Sequence, residues 1–163
     1  MIYYHKFEVR WSDIDANRHL ANSAYVEYCA QTRMAFMNTH QMGLAQLNRW
    51  GIGPVILHER YSFFKEIYAD QHVFVSLEVS GSSEDASIYQ FTHKFYLPDG
   101  THCATAEATG VWIDMMLRKS TTPPEEVLQS LEDFKTENTK VLSREDIKNL
   151  PFKPENIDSS KFL

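Results

Sequence analysis

The stretch Val9–Arg33 reads V-R-W-S-D-I-D-A-N-R-H-L-A-N-S-A-Y-V-E-Y-C-A-Q-T-R, and no other part of the chain says as much about the fold. The end of a short strand leads into two carboxylates, Asp13 and Asp15, then into a polar loop and a helix with few polar positions. Ionisable groups directly before a buried helix cost free energy unless they are paired or take part in chemistry. The segment therefore predicts both the central helix and a candidate site.

The helix after this loop is predicted to span about residues 24–38, and Asn22 or Ser23 is placed to cap its N-terminus. Before its last residue, Asn38, its only polar positions are Glu27, Gln31, Thr32 and Arg33. A helix that is apolar nearly all round is typical of a buried helix rather than a surface one. One sheet covers only one side of such a helix, so we expect an oligomer to cover the rest.

The remaining periodicity predicts one antiparallel sheet of five strands. Residues 2–11 alternate between apolar and polar side chains, and four strand-like runs follow the helix, at residues 55–64, 72–80, 87–97 and 101–115. Turns join the last three runs into a meander. A strand, a buried helix and four more strands predict an α+β fold in which the sheet wraps one long central helix.

The length and composition predict one domain and a tail. The chain has 163 residues, and we place a domain at residues 1–131. Residues 132–163 are polar and charged, so we expect a C-terminal tail that lies on the surface, is partly helical and has one possible helix near residues 144–150.

The net charge limits the kinds of binding partner, and the cysteines indicate the cellular compartment. The net charge of −6 does not favour binding to nucleic acid or to an anionic membrane. Cys29 and Cys103 lack the spacing of a metal site, and residues 1–6 lack the apolar run of a secretion signal. We therefore expect a cytoplasmic protein with reduced cysteines, no metal and no resident cofactor.

The residues from Asp13 to Tyr25 resemble the motif D-x-D-x-x-G-H-V-N-N-x-x-Y. It is typical of hotdog-fold acyl-CoA thioesterases of the 4-hydroxybenzoyl-CoA thioesterase type, including the bacterial YbgC-like enzymes. The matching positions are Asp13, Asp15, His19, Asn22 and Tyr25. Arg18 replaces the glycine of the motif and Ala21 replaces its first asparagine, so we expect a loop of different shape. The likeness covers about residues 3–131.

The resemblance implies a hotdog fold and hydrolysis of a thioester. The implied substrate is a small or medium acyl-CoA, or an acyl carrier protein thioester, with CoA entering only as part of the substrate. Sites in this family generally lie at an interface between subunits. The resemblance therefore also implies a homodimer or a homotetramer.

The resemblance assigns a role to each motif carboxylate and to Asn22. Asp15 takes the place of the catalytic carboxylate, which acts as a nucleophile or as a general base on water; the alternative is an aspartate that only stabilises its turn. Asn22 orients the water or the thioester carbonyl, or else caps the helix. Asp13 is expected to be structural and to hold the loop.

Three further residues are expected to bind the substrate. His19 orients Asp15 or the loop, and Tyr25 lines the acyl slot; a structural histidine and a core aromatic residue are the alternatives. Arg18 is a candidate to meet the phosphates of CoA. Four other basic residues are candidates for the same contact: Lys65, Lys94, Arg118 and Lys119. For all five, the alternative is a solvated surface charge.

Two other functions remain open on the sequence. Hotdog-fold enoyl-CoA hydratases carry D-x-N-P-x-H, and the segment Asp15–His19 comes close to it without the proline. His19 lies one residue closer to Asp15 than the histidine of that motif does, and one residue displaces a side chain by about 3.5 Å. A non-catalytic hotdog protein that binds an acyl ligand is the third possibility, because a fold does not determine a function.

Overall fold

The centre of the molecule is one sheet packed against one long helix. The computed structural model describes residues 1–162. The strands are β1 (Tyr3–Glu8), β2 (Ile52–Phe63), β3 (His72–Ser82), β4 (Ile88–Tyr96), β5 (His102–Asp114) and β6 (Lys135–Val141). The helices are α1 (Asn22–Thr39), α2 (Leu44–Trp50), α3 (Glu125–Glu132) and α4 (Arg144–Lys148), with 3-10 turns at Trp11–Asp13 and Ser159–Phe162.

The strand order across the sheet is β1-β3-β4-β5-β2, and every pair in this order is antiparallel. The predicted α+β architecture is confirmed, including the meander of β3, β4 and β5. Strand β2 has 12 residues, pairs only with β5 and forms one edge of the sheet. No helix within residues 1–162 is both long enough and apolar enough to cross a membrane.

The sheet has six strands rather than the predicted five, because part of the polar tail is a strand. Strand β6 pairs in parallel with the second half of β3, and the Thr139 hydroxyl donates to the Val79 carbonyl over 2.7 Å. The buried side chains of Phe134 and Leu142 hold the two ends of β6. Backbone pairing needs no apolar pattern along the strand, which is why the composition of residues 132–163 did not indicate it. The last residue of the predicted tail, Leu163, lies outside the described residues.

Helix α1 buries one face and leaves the other exposed. It begins at Asn22, two residues earlier than predicted, and its N-cap is Ala21, so neither Asn22 nor Ser23 caps it. The buried positions recur every three or four residues: Ala24, Tyr25, Tyr28, Cys29, Thr32, Phe36 and Met37. Val26 and Met34 are 41% and 37% exposed on the other face. In the single chain the sheet covers only one side of the helix, as expected, and burial of the other face by a second copy stays a prediction.

A polar layer divides the hydrophobic core into two parts. One part surrounds the first half of α1 and includes both cysteines, which are free and buried. The other part surrounds the second half of α1. Between them the helix contributes Thr32 and Arg33, β2 contributes Glu59, β3 contributes Ser76 and β4 contributes His93. We refer to these five residues as the polar layer.

His93 is held neutral inside the polar layer. Its Nδ1 lies 2.8 Å from the carbonyl oxygen of Ser76, which can only accept, so Nδ1 carries the proton. Its Nε2 then accepts from the Arg33 guanidinium over 3.3 Å. Burial first, and the nearby positive charge of Arg33 second, lower the pKa of His93 to about 3. The imidazole of the folded protein therefore stays uncharged well below neutral pH.

The lowered pKa of His93 predicts a specific loss of stability in acid. The unfolded chain binds this proton near pH 6.5, whereas the folded chain does not bind it until about pH 3. Stability contributed by His93 is therefore complete above pH 6.5 and is lost as the pH falls towards 3, by up to about 1.4 kcal/mol per pH unit. Urea unfolding at several pH values should show this slope, and His93→Asn should remove it. His72→Asn, which replaces an exposed histidine, should keep it; an unchanged slope in His93→Asn would contradict the assignment.

Candidate functional site

The motif residues form a short closed loop before α1. Ile14 and Leu20 make an antiparallel bridge, and inside it the Asp15 amide donates to the His19 carbonyl over 3.0 Å. The Arg18 amide donates back to the Asp15 carbonyl, also over 3.0 Å, and Arg18 has a φ of +68°. This left-handed conformation is one that glycine adopts without cost, so the arginine occupies a position that suits the glycine of the motif.

Asp13 is buried and fully engaged. Its carboxylate accepts hydrogen bonds from the Arg10 amide, from the Arg10 guanidinium at 3.0 and 3.1 Å, and from the Tyr28 hydroxyl at 2.7 Å. Burial alone would raise its pKa, but the hydrogen bonds from Arg10 and Tyr28 hold the pKa below its usual value. Its backbone carbonyl also accepts from the Ala21 amide. Such a carboxylate ties the loop to Arg10, which follows β1, and to Tyr28 on α1, and it has no capacity left for a substrate, which favours the predicted structural role.

Asp15 is only partly engaged. Its Oδ1 accepts from the Asn17 amide over 2.8 Å and lies 3.8 Å from the Nδ1 of His19, beyond hydrogen-bond distance. Within residues 1–162 its Oδ2 has no hydrogen-bond partner, and the side chain is 29% exposed. One oxygen thus fixes the orientation of the carboxylate while the other can accept a proton or attack an electrophile.

A cleft of about 300 Å³ lies beside this carboxylate at the start of α1. Three of the predicted site residues line it, His19, Asn22 and Tyr25, together with Leu20 and the segment 63–66 at the end of β2. Asp15 does not line the cleft itself and adjoins it through His19. The structure thus brings four of the predicted residues to one place, with the carboxylate at its border.

Tyr25 forms the inner wall of the cleft. Its ring is 4% exposed and packs against Phe63 and Phe95, with ring centroids 4.8 and 5.0 Å apart. Burial first, then the charges of Cys103 and Asp15, raise the pKa of its hydroxyl to about 12. The Tyr25 hydroxyl therefore stays protonated and neutral near neutral pH.

Arg18 is not brought into the cleft. Its side chain is exposed, and it is absent from the residues that surround the cleft. Of the other basic candidates, only Lys65 lies at the cleft, whereas Lys94 forms an ion pair with Glu78 over 2.9 Å. Lys65 is therefore the basic residue best placed to meet a phosphate near Asp15.

The segment Phe63–Glu66 lines half of the cleft, and the sequence did not single it out as a unit. Phe63 and Phe64 are 50% and 60% exposed, although they are large apolar residues. Two adjacent phenylalanines at the end of a strand break the alternation of buried and exposed side chains, and this break is the signal that could have indicated them. Within residues 1–162, no group of three or more His, Cys, Asp or Glu side chains is arranged to hold a metal ion.

Solved structures with the same fold are numerous. Slr0204 from Synechocystis, a 1,4-dihydroxy-2-naphthoyl-CoA thioesterase, is 15% identical with a TM-score of 0.73, covering 82% of this chain and 97% of its own. SAV2348 from Staphylococcus aureus, in complex with CoA, is 18% identical with a TM-score of 0.76. The match covers 94% of this chain and 96% of SAV2348. YbaW from Escherichia coli, a probable thioesterase, is 17% identical with a TM-score of 0.69. The match covers 80% of this chain and 97% of YbaW.

A family model matches the sequence, although no individual curated sequence does. The family model of the thioesterase-like superfamily matches residues 9–131, which include the motif, α1 and the strands from β2 to β5. The chain therefore has the hotdog fold and belongs to the thioesterase-like superfamily.

Proposed function

We propose that this protein hydrolyses a small or medium acyl-CoA, or an acyl carrier protein thioester, with Asp15 as the reacting carboxylate. The observation that carries the proposal is the uncommitted oxygen of Asp15 at the border of a cleft at the start of α1. The cleft provides an aromatic wall for an acyl group and polar side chains close to the carboxylate. Membership of the thioesterase-like superfamily supports thioester hydrolysis over other chemistry.

In the proposed reaction, Asp15 acts on the thioester carbonyl in one of two ways. As a general base, its Oδ2 takes a proton from water while the water oxygen attacks the carbonyl carbon; as a nucleophile, Oδ2 attacks directly and water then cleaves the anhydride. Either route develops a negative oxygen, which the positive end of α1 would stabilise. The thiolate leaves and takes up a proton. Asn22, on the first turn of α1, orients the water or the carbonyl.

The CoA portion would lie along the outer side of the cleft. SAV2348 was solved with CoA, which supports a CoA thioester for this chain as well. Lys65 is the basic side chain at the cleft and would form a charge-assisted hydrogen bond to a phosphate. We propose hydrolysis without a metal or a resident cofactor, in a reducing cytoplasm in which Cys29 and Cys103 stay free.

We further propose that the active form is a homodimer or a homotetramer. The edge strand β2 leaves one side of its backbone unpaired, and Leu57 and Phe63 on it are 44% and 50% exposed. An exposed apolar edge is a template for pairing with a second copy. Because Phe63 also lines the cleft, a partner at this edge would complete the site. Sedimentation velocity should give at least twice the chain mass of 19.0 kDa, and a monomer would contradict the proposal.

A panel of thioesters tests the activity. We expect release of free thiol from acetyl-, hexanoyl-, benzoyl- or phenylacetyl-CoA, with a preference among them that reports the shape of the acyl slot. Crotonyl-CoA distinguishes the alternative, because a hydratase would remove its enoyl absorbance without releasing thiol. Acyl carrier protein thioesters with the same acyl groups show which carrier is preferred. Binding of acyl-CoA with neither reaction would overturn the proposal in favour of a binding protein.

A further inference from the structure

A row of aromatic rings crosses the outer face of the sheet, the face turned away from α1. Phe74 on β3 lies directly opposite Tyr96 on β4, and Tyr96 lies opposite His102 on β5. The residues on both sides of Phe74 and the residue before Tyr96 are in the core, so these two rings point outwards. Tyr4 on β1 and Phe64, directly after β2, continue the row on either side. We call these five residues the aromatic band.

The aromatic band is continuous with the cleft at the start of α1. Phe64 lines that cleft, and its ring centroid lies 5.1 Å from the centroid of His102. The His102 ring in turn lies 5.1 Å from the Tyr96 ring. A hydrogen bond from Nε2 of His102 to the Ala104 carbonyl, at 3.1 Å, holds the imidazole in place. Two ring-to-ring contacts therefore connect the cleft with the outer face of the sheet.

The far end of the aromatic band forms an open concavity of about 370 Å³. Tyr4, Phe74 and Tyr96 line it, together with residues of the turn at 97–100. Tyr4 is 52% exposed, and Phe64 at the other end of the band is 60% exposed. An exposed group of large rings is typical of a binding surface, and such rings bind another flat ring by stacking.

Two lysines flank the band and indicate a ligand with separated negative groups. Lys65 lies at the cleft, and Lys6 on β1 lies opposite Phe74. Within residues 1–162 neither lysine forms an ion pair, so each is available for a charge-assisted hydrogen bond to a phosphate. Asp99, exposed in the turn beside the concavity, disfavours a phosphate there but is compatible with an amino group. The pattern fits a flat ring with an amino group and with phosphates on both sides.

We propose that the aromatic band binds the nucleotide of a CoA thioester, with the adenine in the concavity against Tyr96. The pyrophosphate lies near Lys65, and the 3′-phosphate of the ribose lies near Lys6. The arm of CoA between its sulfur and its adenine is longer than the two ring-to-ring steps, so one molecule spans the cleft and the concavity. The choice of this ligand rests on the proposed thioesterase function.

The aromatic band also determines which carrier of the acyl group is preferred. An acyl carrier protein presents a phosphopantetheine arm without a nucleotide, so its thioester gains no affinity from the band. Stacking of one base on an aromatic side chain changes affinity by about 5- to 100-fold. The substrate is therefore a CoA thioester rather than a carrier protein thioester.

Ligands with and without the nucleotide test this proposal by isothermal titration of the full-length protein. CoA and 4′-phosphopantetheine share the pantetheine arm, but only CoA has the adenine. We expect CoA to bind at least about fivefold more tightly. 3′-Dephospho-CoA should bind more weakly than CoA, and Lys6→Met should remove this difference. Equal affinities for CoA and 4′-phosphopantetheine, or no binding of CoA, would overturn the proposal.

Four variants locate the adenine. Tyr96→Leu removes the ring and should bring the affinities for CoA and 4′-phosphopantetheine close together, whereas Tyr96→Phe keeps a ring and should keep the preference for CoA. Tyr4→Leu replaces a more exposed ring of the same concavity and should reduce the preference as well, which covers the case in which Tyr96→Leu does not fold. Phe152→Leu is the matched control, because Phe152 is 85% exposed and lies outside the band. A full preference for CoA in Tyr4→Leu and Tyr96→Leu would overturn the proposal.

These titrations separate the nucleotide site from the proposed reaction, because CoA itself contains no thioester. Hydrolysis of acyl-CoAs by a protein that binds CoA and 4′-phosphopantetheine equally would overturn the role of the band and would leave the thioesterase function in place. A preference for CoA that depends on Tyr96, in a protein that hydrolyses no thioester, would support the nucleotide site and would remove the thioesterase function.

Discussion

Asp15→Asn should lower the rate of thioester hydrolysis by about 10²–10⁴-fold, with little change in stability. The amide keeps an oxygen to accept from the Asn17 amide, so the loop retains its hydrogen bond. It loses the basic and nucleophilic oxygen that the proposed reaction needs. Steady-state kinetics with the best acyl-CoA of the panel measure the effect, and the fall should appear in kcat more than in KM.

Asp70→Asn is the matched control. Asp70 is an exposed aspartate outside the cleft, with a φ of +64° that asparagine also tolerates. This variant makes the same chemical change and should keep the activity of the unmodified protein. Full hydrolysis by Asp15→Asn would remove Asp15 from the mechanism and would leave the superfamily membership untouched. The two conclusions are therefore separable.

Glu59→Leu should destabilise the fold by about 3–5 kcal/mol, the largest stability effect that we expect in this chain. The side chains of Arg33 and Glu59 are only 13% and 20% exposed, and they meet at 3.3 Å. Removal of the carboxylate leaves a mostly buried guanidinium with only the neutral His93 as a partner. For a domain of this size the melting temperature should fall by about 10 °C.

The double variant Arg33→Met/Glu59→Leu shows whether the instability of Glu59→Leu comes from a buried unpaired charge or from lost packing. It removes both charges and fills the space with apolar atoms, so it should recover most of the stability lost in Glu59→Leu. Glu145→Leu breaks the exposed pair with Lys148, whose side chains are about 70% exposed, and should cost less than about 1 kcal/mol. All variants need one protein concentration, because assembly would make the melting temperature depend on it. A double variant as unstable as Glu59→Leu would contradict this explanation.

The sequence motif predicted some features of the candidate site and missed others. The resemblance in Asp13–Tyr25 distinguished the two aspartates. In the structure Asp13 accepts a full set of hydrogen bonds, whereas Asp15 keeps an unpaired oxygen and lies beside His19, which lines the cleft. The spacing could not show that Arg18 is exposed and does not line the cleft. A side-chain direction in a loop depends on the left-handed backbone at that residue, and the residue type alone does not reveal it.

The sequence by itself determined the α+β class, the antiparallel meander, the position of α1 and the segment that holds the motif, because these follow from periodicities of two and 3.6 residues and from local turn chemistry. Only the tertiary structure decided which face of α1 is covered, that Arg33 pairs with Glu59, that the end of β2 borders the motif loop, and that the polar segment β6 joins the sheet. Each of these depends on contacts between residues far apart in the chain. Such contacts are selected by the packing of the whole molecule, and no local pattern records them.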